Sequence, residues 1–497
     1  MKRPVIISSL SLLLAVSCVA LAPEGNDDSF KTNSGPIVVR SSPVVELSDP
    51  CFVTQKMAEL FITSYKENAE IVSIEPYEVD GVVCLYIINF ENGYKIISAD
   101  TRIQPILAEC DEGSLYPEET DNPGVIVWLE DTADRIRILK RYNLTVKEDY
   151  SDLWQSFRSK DDSPIQTRVS ISDSLFFGED MIWIRVIESS VMTAYSNANQ
   201  SPLITTKWGQ GSPWNAAAPI DIISGYRSLT CCAAVAVAQV LRYFNKKGTS
   251  PTDLWHTAFV SSSIPVVKNN HVYVTTTLSR SGYTSNSSRW NQMPDTQIGS
   301  HTEYVARLML DIGNRINVYY SANESVVFPD TSVCVVPNLP QCGISSSFAS
   351  YTFSQVRTDI NAKKPVIVSA RTGQGLSGVG HIWVIDGCHD LSQIYLTTET
   401  YYYISPNDYY SYSNVVDVYT CDEMMSINPD AYHGMQTVSS TTHTSKDLHM
   451  NWGWDGNEDG FYNMLDSNDW TATPGNTPLN FLYTRLLNYN IATGQLN

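Results

Sequence analysis

This sequence predicts an α+β fold in which a domain built around one buried helix follows a smaller α+β domain, and three observations carry that expectation. The stretch Thr230–Phe244, TCCAAVAVAQVLRYF, is apolar almost all the way round a helix, which marks a buried helix and not an amphipathic one. The runs Val366–Ala370, His381–Asp386, Ile394–Thr398, His449–Trp452 and Gly460–Met464 read as strands, and all of them come late in the chain. An early helix followed by a late antiparallel sheet is α+β, unlike the alternation of a parallel βαβ fold. Ahead of both, residues 46–150 carry a hairpin and helices of their own.

The first 18 residues have the layout of an export signal. Lys2 and Arg3 precede an apolar run, Val5–Val16, that is too short to span a bilayer comfortably. It closes in Ala15-Val16-Ser17-Cys18, which is similar to a bacterial lipobox. That similarity implies lipidation of Cys18 and a mature chain tethered to the cell envelope. Ala15 stands where leucine is more usual, so plain secretory cleavage is the alternative. Residues 19–45, rich in Asp, Ser, Pro and Asn, read as a flexible tether.

Composition narrows the function. The 497 residues allow two or three domains and a sizeable core. The formal charge of −20 argues against a nucleic-acid partner, because that affinity rests on Lys and Arg neutralising phosphates. The 28 tyrosines suit a β-rich exported protein. Ten cysteines show no dense disulfide framework, although Cys334 and Cys342 are near enough in sequence to bridge. The eight histidines form no HExxH and the cysteines no CxxC, so no metal or cofactor is expected.

In chain order, Phe52–Tyr65 has helical spacing, and Val82–Phe90 and Tyr94–Ser98 read as strands joined by Glu91-Asn92-Gly93. Val125–Tyr142 is a further helix, with which the small domain ends. The polar stretch Glu148–Thr167 is the best boundary in the chain. Residues 151–200 are therefore expected to be linker and processing region, and 201–497 the domain that carries the chemistry. Within it, Leu203–Asn215 leads to the buried helix, with Ser228 or Thr230 able to cap it. Lys246, Lys247 and Gly248 suit its end. A Ser/Thr/Asn-rich loop region is expected from 260 to 300, then helices over Tyr304–Ile316 and Phe353–Asn361.

A cysteine in the first turn of the buried helix sits where free N–H groups and the helix dipole favour a thiolate. Alone this is weak, since a cysteine on an apolar helix is more often inert filler. Cysteine catalysis also needs a base, a group orienting the base, and donors for an oxyanion. His381 is the best base of the eight histidines: it opens the strand HIWVIDG directly after Gly378-Val379-Gly380. The bland alternative is a satisfied strand-end histidine, and spacing alone does not exclude His389 or His449. In Asn451-Trp452-Gly453-Trp454 an indole wall could shield an ion pair while Asn451 holds a ring N–H. Gln210, about twenty residues ahead of the helix, could offer a side-chain N–H to an oxyanion.

Four ordered motifs, PLITTKWGQGSPWN, CCAAVAVAQVLRYF, GHIWVIDG and NWGWDGNEDGFY, span roughly 202–465 and together resemble the streptopain family of papain-like cysteine peptidases. The resemblance implies a papain-like peptidase domain acting on proteins or peptides without a cofactor. It places the nucleophile seven residues before Gln239, on Cys232, the base on His381 and the oxyanion glutamine on Gln210. The Asn-Trp pair falls on Asn451 and Trp452, with the orienting member left open. Cys231 stands where that family usually has glycine. Upstream, INFENGYKIISADTRIQPIL within Tyr86–Leu107 looks like the inhibitory propeptide of these enzymes, which implies a zymogen whose propeptide is its own inhibitor. Two other readings are a non-catalytic surface binding protein on the same fold and a papain-like acyl transferase.

Overall fold

The computed structural model describes residues 49–65, 70–148, 150–155, 157, 181–248, 257–281, 287–328, 336, 339–371, 380–412, 415–430, 432–465, 470–471 and 486–493. The export signal with Cys18, the tether and Cys334 lie outside these residues.

The apolar runs of the small domain form its core. Helix α1 (Gln55–Tyr65) lies on one face of the strands β1 (Ile71–Val79), β2 (Val82–Phe90), β3 (Tyr94–Ser98) and β4 (Ile106–Cys110). The Glu91-Asn92-Gly93 turn joins β2 to β3 as expected. Gly93 has φ +82°, and a Cβ there would lie 2.2 Å from the Cys110 carbonyl oxygen, so no other residue fits. Helix α2 (Pro123–Arg141) covers the second face. Asn122 caps it, with Oδ1 accepting from Gly124 N at 3.0 Å and Val125 N at 3.5 Å, and Pro123 suits the first turn. After the short β5 (Thr145–Val146), α3 (Ser151–Gln155) returns to the small domain and buries Trp154 in the α1 core. The small domain thus runs past 150, the boundary that the polar stretch predicts.

The expected linker also loses its far end. Residues Ile182–Gln200 form β6, which pairs with the long strand β11 (Gly380–Ile404) from Cys388↔Gln200 to Ile404↔Ile182. β6 is part of the peptidase sheet, and only 158–180 stand between the two units. Helix α4 (Cys232–Lys246) follows. Residues 257–281 form a hairpin, β7 (Thr257–Lys268) and β8 (His271–Ser281), where a loop region was expected. Asn269 and Asn270 have φ of 50° and 61°, the two positive values a tight two-residue turn demands. The chain continues through α5 (Ser287–Gln292), α6 (Thr302–Arg315), β9 (Ile344–Ser350), α7 (Phe353–Asn361) and β10 (Val366–Arg371). Beyond β11 come β12 (Val415–Tyr419), α8 (Cys421–Ile427), β13 (Met435–Asn451), β14 (Gly460–Asn463), β15 (Trp470–Thr471) and β16 (Leu486–Thr493). His381–Asp386 and Ile394–Thr398, read as two strands, are one.

Twelve strands make one sheet with the path β1-β2-β3-β4-β14-β13-β11-β10-β16-β9, while β6 joins β11 and β12 joins β6. Among the described residues every pairing in it is antiparallel, the junction between the small domain and the rest being β4 on β14, Ala108↔Tyr462 and Glu109↔Phe461. Two cores lie on opposite faces of β11. Ile382 and Val384 pack with α4 and α6, while Trp383 and Ile385 pack with α2. Period-two alternation along a strand gives that division. No described helix is long and apolar enough to cross a membrane.

Candidate active site

Cys232 is the first residue of α4 and 1% exposed. Neither Ser228 nor Thr230 caps the helix. The N-cap is Cys231, with φ 93° and no side-chain cap bond. Glycine adopts that φ freely, which gives a physical reason for the glycine that the family resemblance puts at this position. Thr230 is used differently: its N–H donates to the Gln210 carbonyl at 3.1 Å. This bond ties Gln210 to the approach of α4. The Gln210 side chain is buried, and its Nε2 has no hydrogen-bond partner among the described residues.

His381 is fully buried. Its Nε2 lies 2.7 Å from the carbonyl oxygen of Trp452, and a carbonyl can only accept, so Nε2 carries the proton. Nδ1 has no partner among the described residues. Neutral imidazole held this way leaves Nδ1 as an acceptor, the form a base requires. Burial drives the pKa down to about 4, against the opposing hydrogen bond to the Trp452 carbonyl.

The group that holds the ring in this structure is thus the main chain of Trp452. Asn451 makes no hydrogen bond to His381: Nδ2 donates to Thr206 O at 3.0 Å, and Oδ1 accepts from Gln239 Nε2 at 2.7 Å and Gly453 N at 3.2 Å. In this structure the Asn451 amide is taken up by Thr206, Gln239 and Gly453 and does not hold the ring. The other histidines weighed for the base stand elsewhere. His449 pairs with Asp386 at 2.7 Å, and His389 stacks on Phe461 with centroids 3.6 Å apart.

His381 shares the face of β11 that carries Trp383, with the rings 13° from parallel, and Trp454 packs edge-on. The N-terminus of α2 closes this face. A Cβ on Gly124 would lie 2.3 Å from Trp452 Cε3 and 2.8 Å from His381 Cδ2, so the helix backbone rests directly on the ring and the indole. Around it, Thr120 Oγ1 donates to Glu458 Oε1 at 2.7 Å, Trp454 Nε1 to Asp121 Oδ1 at 2.9 Å, and Trp128 Nε1 to Asn463 O at 2.8 Å. The segment before α2 and the helix itself therefore lock onto the Trp-Gly wall. Since Nδ1 is unpartnered, the Cys232 thiol is not hydrogen-bonded to it: the base faces α2 and the helix of the nucleophile candidate packs on the opposite face.

Residues 208–462 match the Peptidase C10 family, and residues 53–136 match the Spi protease inhibitor family. The chain belongs to the peptidase C10 family. Two solved structures from Prevotella intermedia are similar to this C10 peptidase. The prointerpain A fragment is 18% identical with a TM-score of 0.44, covering 84% of this chain and 98% of that one. The active wild-type interpain A cysteine protease is 21% identical with a TM-score of 0.35, covering 59% and 95%. No curated protein sequence matches.

This C10 peptidase is a cysteine peptidase zymogen with an inhibitor-type propeptide. Of its candidate site residues, Gln210 is joined to the approach of Cys232 and Trp452 to His381, while Asn451 links both groups through Thr206 and Gln239. Gly124 and Gln239 were not singled out as site residues in the sequence. The one polar residue on an otherwise apolar helix face was the available signal for Gln239. Among the described residues no cluster of His, Cys, Asp or Glu could hold a metal ion.

Proposed function

We propose that the chain is the precursor of an exported cysteine endopeptidase in which Cys232 is the nucleophile and His381 the base. The observation that carries this reading is a pair of buried nitrogens without a hydrogen-bond partner among the described residues, His381 Nδ1, whose ring is held by the Trp452 carbonyl, and Gln210 Nε2, on the turn tied to the approach of α4. Folded proteins rarely leave such atoms orphaned, and functional sites are where they do.

In the activated enzyme the His381 ring leaves the α2 face and reaches Cys232, whose proton it holds. The thiolate attacks the peptide carbonyl, and the oxyanion takes hydrogen bonds from Gln210 Nε2 and the Cys232 N–H. The imidazolium then protonates the leaving amine, and the neutral ring activates the water that hydrolyses the thioester. Trp452 O keeps the ring in the tautomer that presents Nδ1. The α2 plug blocks this in two ways, by occupying the cleft and by holding His381 buried and neutral. As a tethered inhibitor it acts at high effective concentration. Cleavage in the 158–180 stretch would end that advantage while leaving β6 with the peptidase sheet. Lipidation at Cys18 with the polar tether, or plain secretion, would place the enzyme outside the cell membrane.

The direct test is substitution. Cys232→Ala abolishes hydrolysis of unfolded protein, whereas Cys231→Ser keeps most of it. Activity in the first variant with none in the second would reassign the nucleophile. Mass spectrometry of the exported product decides the attachment: a diacylglyceryl group on Cys18 is expected, and an unmodified N-terminus elsewhere would refute it.

A further inference from the structure

Gln239 is the one uncharged polar side chain buried inside α4, seven residues and two turns beyond Cys232 and 0% exposed. Burying an amide is unfavourable unless its groups are bonded, and here both ends are. Oε1 accepts from Thr206 Oγ1 at 2.9 Å and Trp208 N at 3.4 Å, and Nε2 donates to Asn451 Oδ1 at 2.7 Å. Backbone groups fix the orientation of both amides. The Trp208 N–H can only donate, so Gln239 turns its oxygen there. The Thr206 carbonyl can only accept and the Gly453 N–H can only donate, so Asn451 presents Nδ2 to the first and Oδ1 to the second. No flip of either amide satisfies these partners.

We propose that Gln239 is a positioning residue for peptide hydrolysis, a single side chain that registers the helix of the nucleophile against both the base and the oxyanion donor. One arm runs through Asn451 to the turn whose next residue, Trp452, holds His381 by its carbonyl. The other runs through Thr206 and Trp208 to Gln210, two residues on. Gly453 keeps the arrangement close. Its φ is +68°, and a Cβ there would lie 3.1 Å from Val235 Cγ1 and 4.0 Å from Gln239 Nε2. The three catalytic groups come from segments far apart in sequence, so their alignment needs a common reference. Gln239 bonds to the segment of Gln210, reaches through Asn451 the turn that holds His381, and is covalently part of the helix of Cys232. It touches no reacting atom.

This inference rests on the proposed roles of Cys232, His381 and Gln210. Two variants separate the arms. Gln239→Glu keeps an acceptor for Thr206 and Trp208 but sets a carboxylate oxygen against Asn451 Oδ1. Thr206→Val removes the hydroxyl donated to Gln239 and preserves shape. Full-length precursors are activated by limited digestion, and their active sites are titrated with a thiol-reactive probe. For Gln239→Glu we expect kcat and kcat/KM to fall together by about tenfold to a hundredfold per titrated site. The low-pH limb of Cys232 alkylation, which reports a thiolate paired with imidazolium, should shrink in parallel. Thr206→Val should show a smaller loss in kcat with the alkylation profile retained, because it leaves the Asn451 arm intact. Wild-type kcat per titrated site in both variants, or a loss accounted for entirely by fewer titratable sites, overturns the proposal. Cys232→Ala is run alongside, and hydrolysis by that variant would show instead that the underlying assignment is at fault.

Discussion

At His381 burial and hydrogen bonding pull in opposite directions, and burial wins. Desolvation holds the imidazole neutral, with its pKa down to about 4, although the Trp452 carbonyl favours the charged ring. A thiolate–imidazolium pair needs the reverse, so the contact that buries the ring, Gly124 of α2, is the one to disturb. A larger residue there must push against the body of the Trp452 indole, and overpacking of this kind costs about 1–3 kcal/mol. We therefore expect Gly124→Val to raise the rate at which a thiol probe labels Cys232 in the uncut precursor, by about fivefold to a hundredfold. An unchanged rate would mean that Gly124 does not hold the plug. The catalytic candidates were legible in the sequence because each sits in a local motif: a cysteine opening an apolar helix, a histidine opening a strand, a glutamine beside Trp-Gly. Gly124 and the hub at Gln239 were not, since Gly124 touches Trp452 and His381 and Gln239 reaches Asn451, all more than 200 positions away.

Among the elements, α2 belongs to two structures at once. It packs on Leu85, Ile87 and Ile96 of the propeptide strands and on Trp383, Ile385 and Met450 of the peptidase sheet. Its start is set by Asn122, whose Oδ1 takes two orphan N–H groups while Nδ2 reaches Asn457 O at 3.4 Å. Asn122→Ala should destabilise the helix start by about 1 kcal/mol and speed probe labelling of the uncut precursor, leaving the matured enzyme unaffected because the residue is removed with the propeptide. Equal labelling rates would show that the cap is not part of the lock. Helices α2, α4, α6 and α7 could be read from their runs of apolar residues, as could the β2–β3 hairpin from its Asn-Gly turn. The polar face of β7–β8 hid a hairpin among Ser and Thr, with Asn-Asn as the only turn signal. Strand β6 was hidden by its neighbour in sequence, the charged linker, and its pairing with β11 is non-local.

Over the whole molecule, propeptide and peptidase share one sheet, and two carboxyls lie along their seam. Asp447 bonds Gln104 Nε2 at 2.8 Å, and desolvation pushes its pKa up to about 6; Asp459, whose main-chain carbonyl accepts from the Cys110 thiol, is pushed up to about 7 by desolvation. Both lie above the usual 3.8, so protonation favours the folded precursor over the unfolded chain. That contribution is fully present below the usual value and is lost as pH rises through about 6 and about 7. The thermal stability of the uncut precursor should fall across this window, and Asp447→Asn should flatten the lower part of that fall. A flat stability profile in the unsubstituted precursor would count against the role of these carboxyls. In the precursor the propeptide is expected to keep the base from the nucleophile. The measurement that asks this directly is the pH dependence of Cys232 alkylation, in a Cys231→Ser background, before and after removal of the propeptide. The intact precursor is expected to alkylate slowly and only as an ordinary thiol ionises, and the matured enzyme to gain a limb at lower pH from the Cys232–His381 pair. The same low-pH limb in both forms would contradict the account.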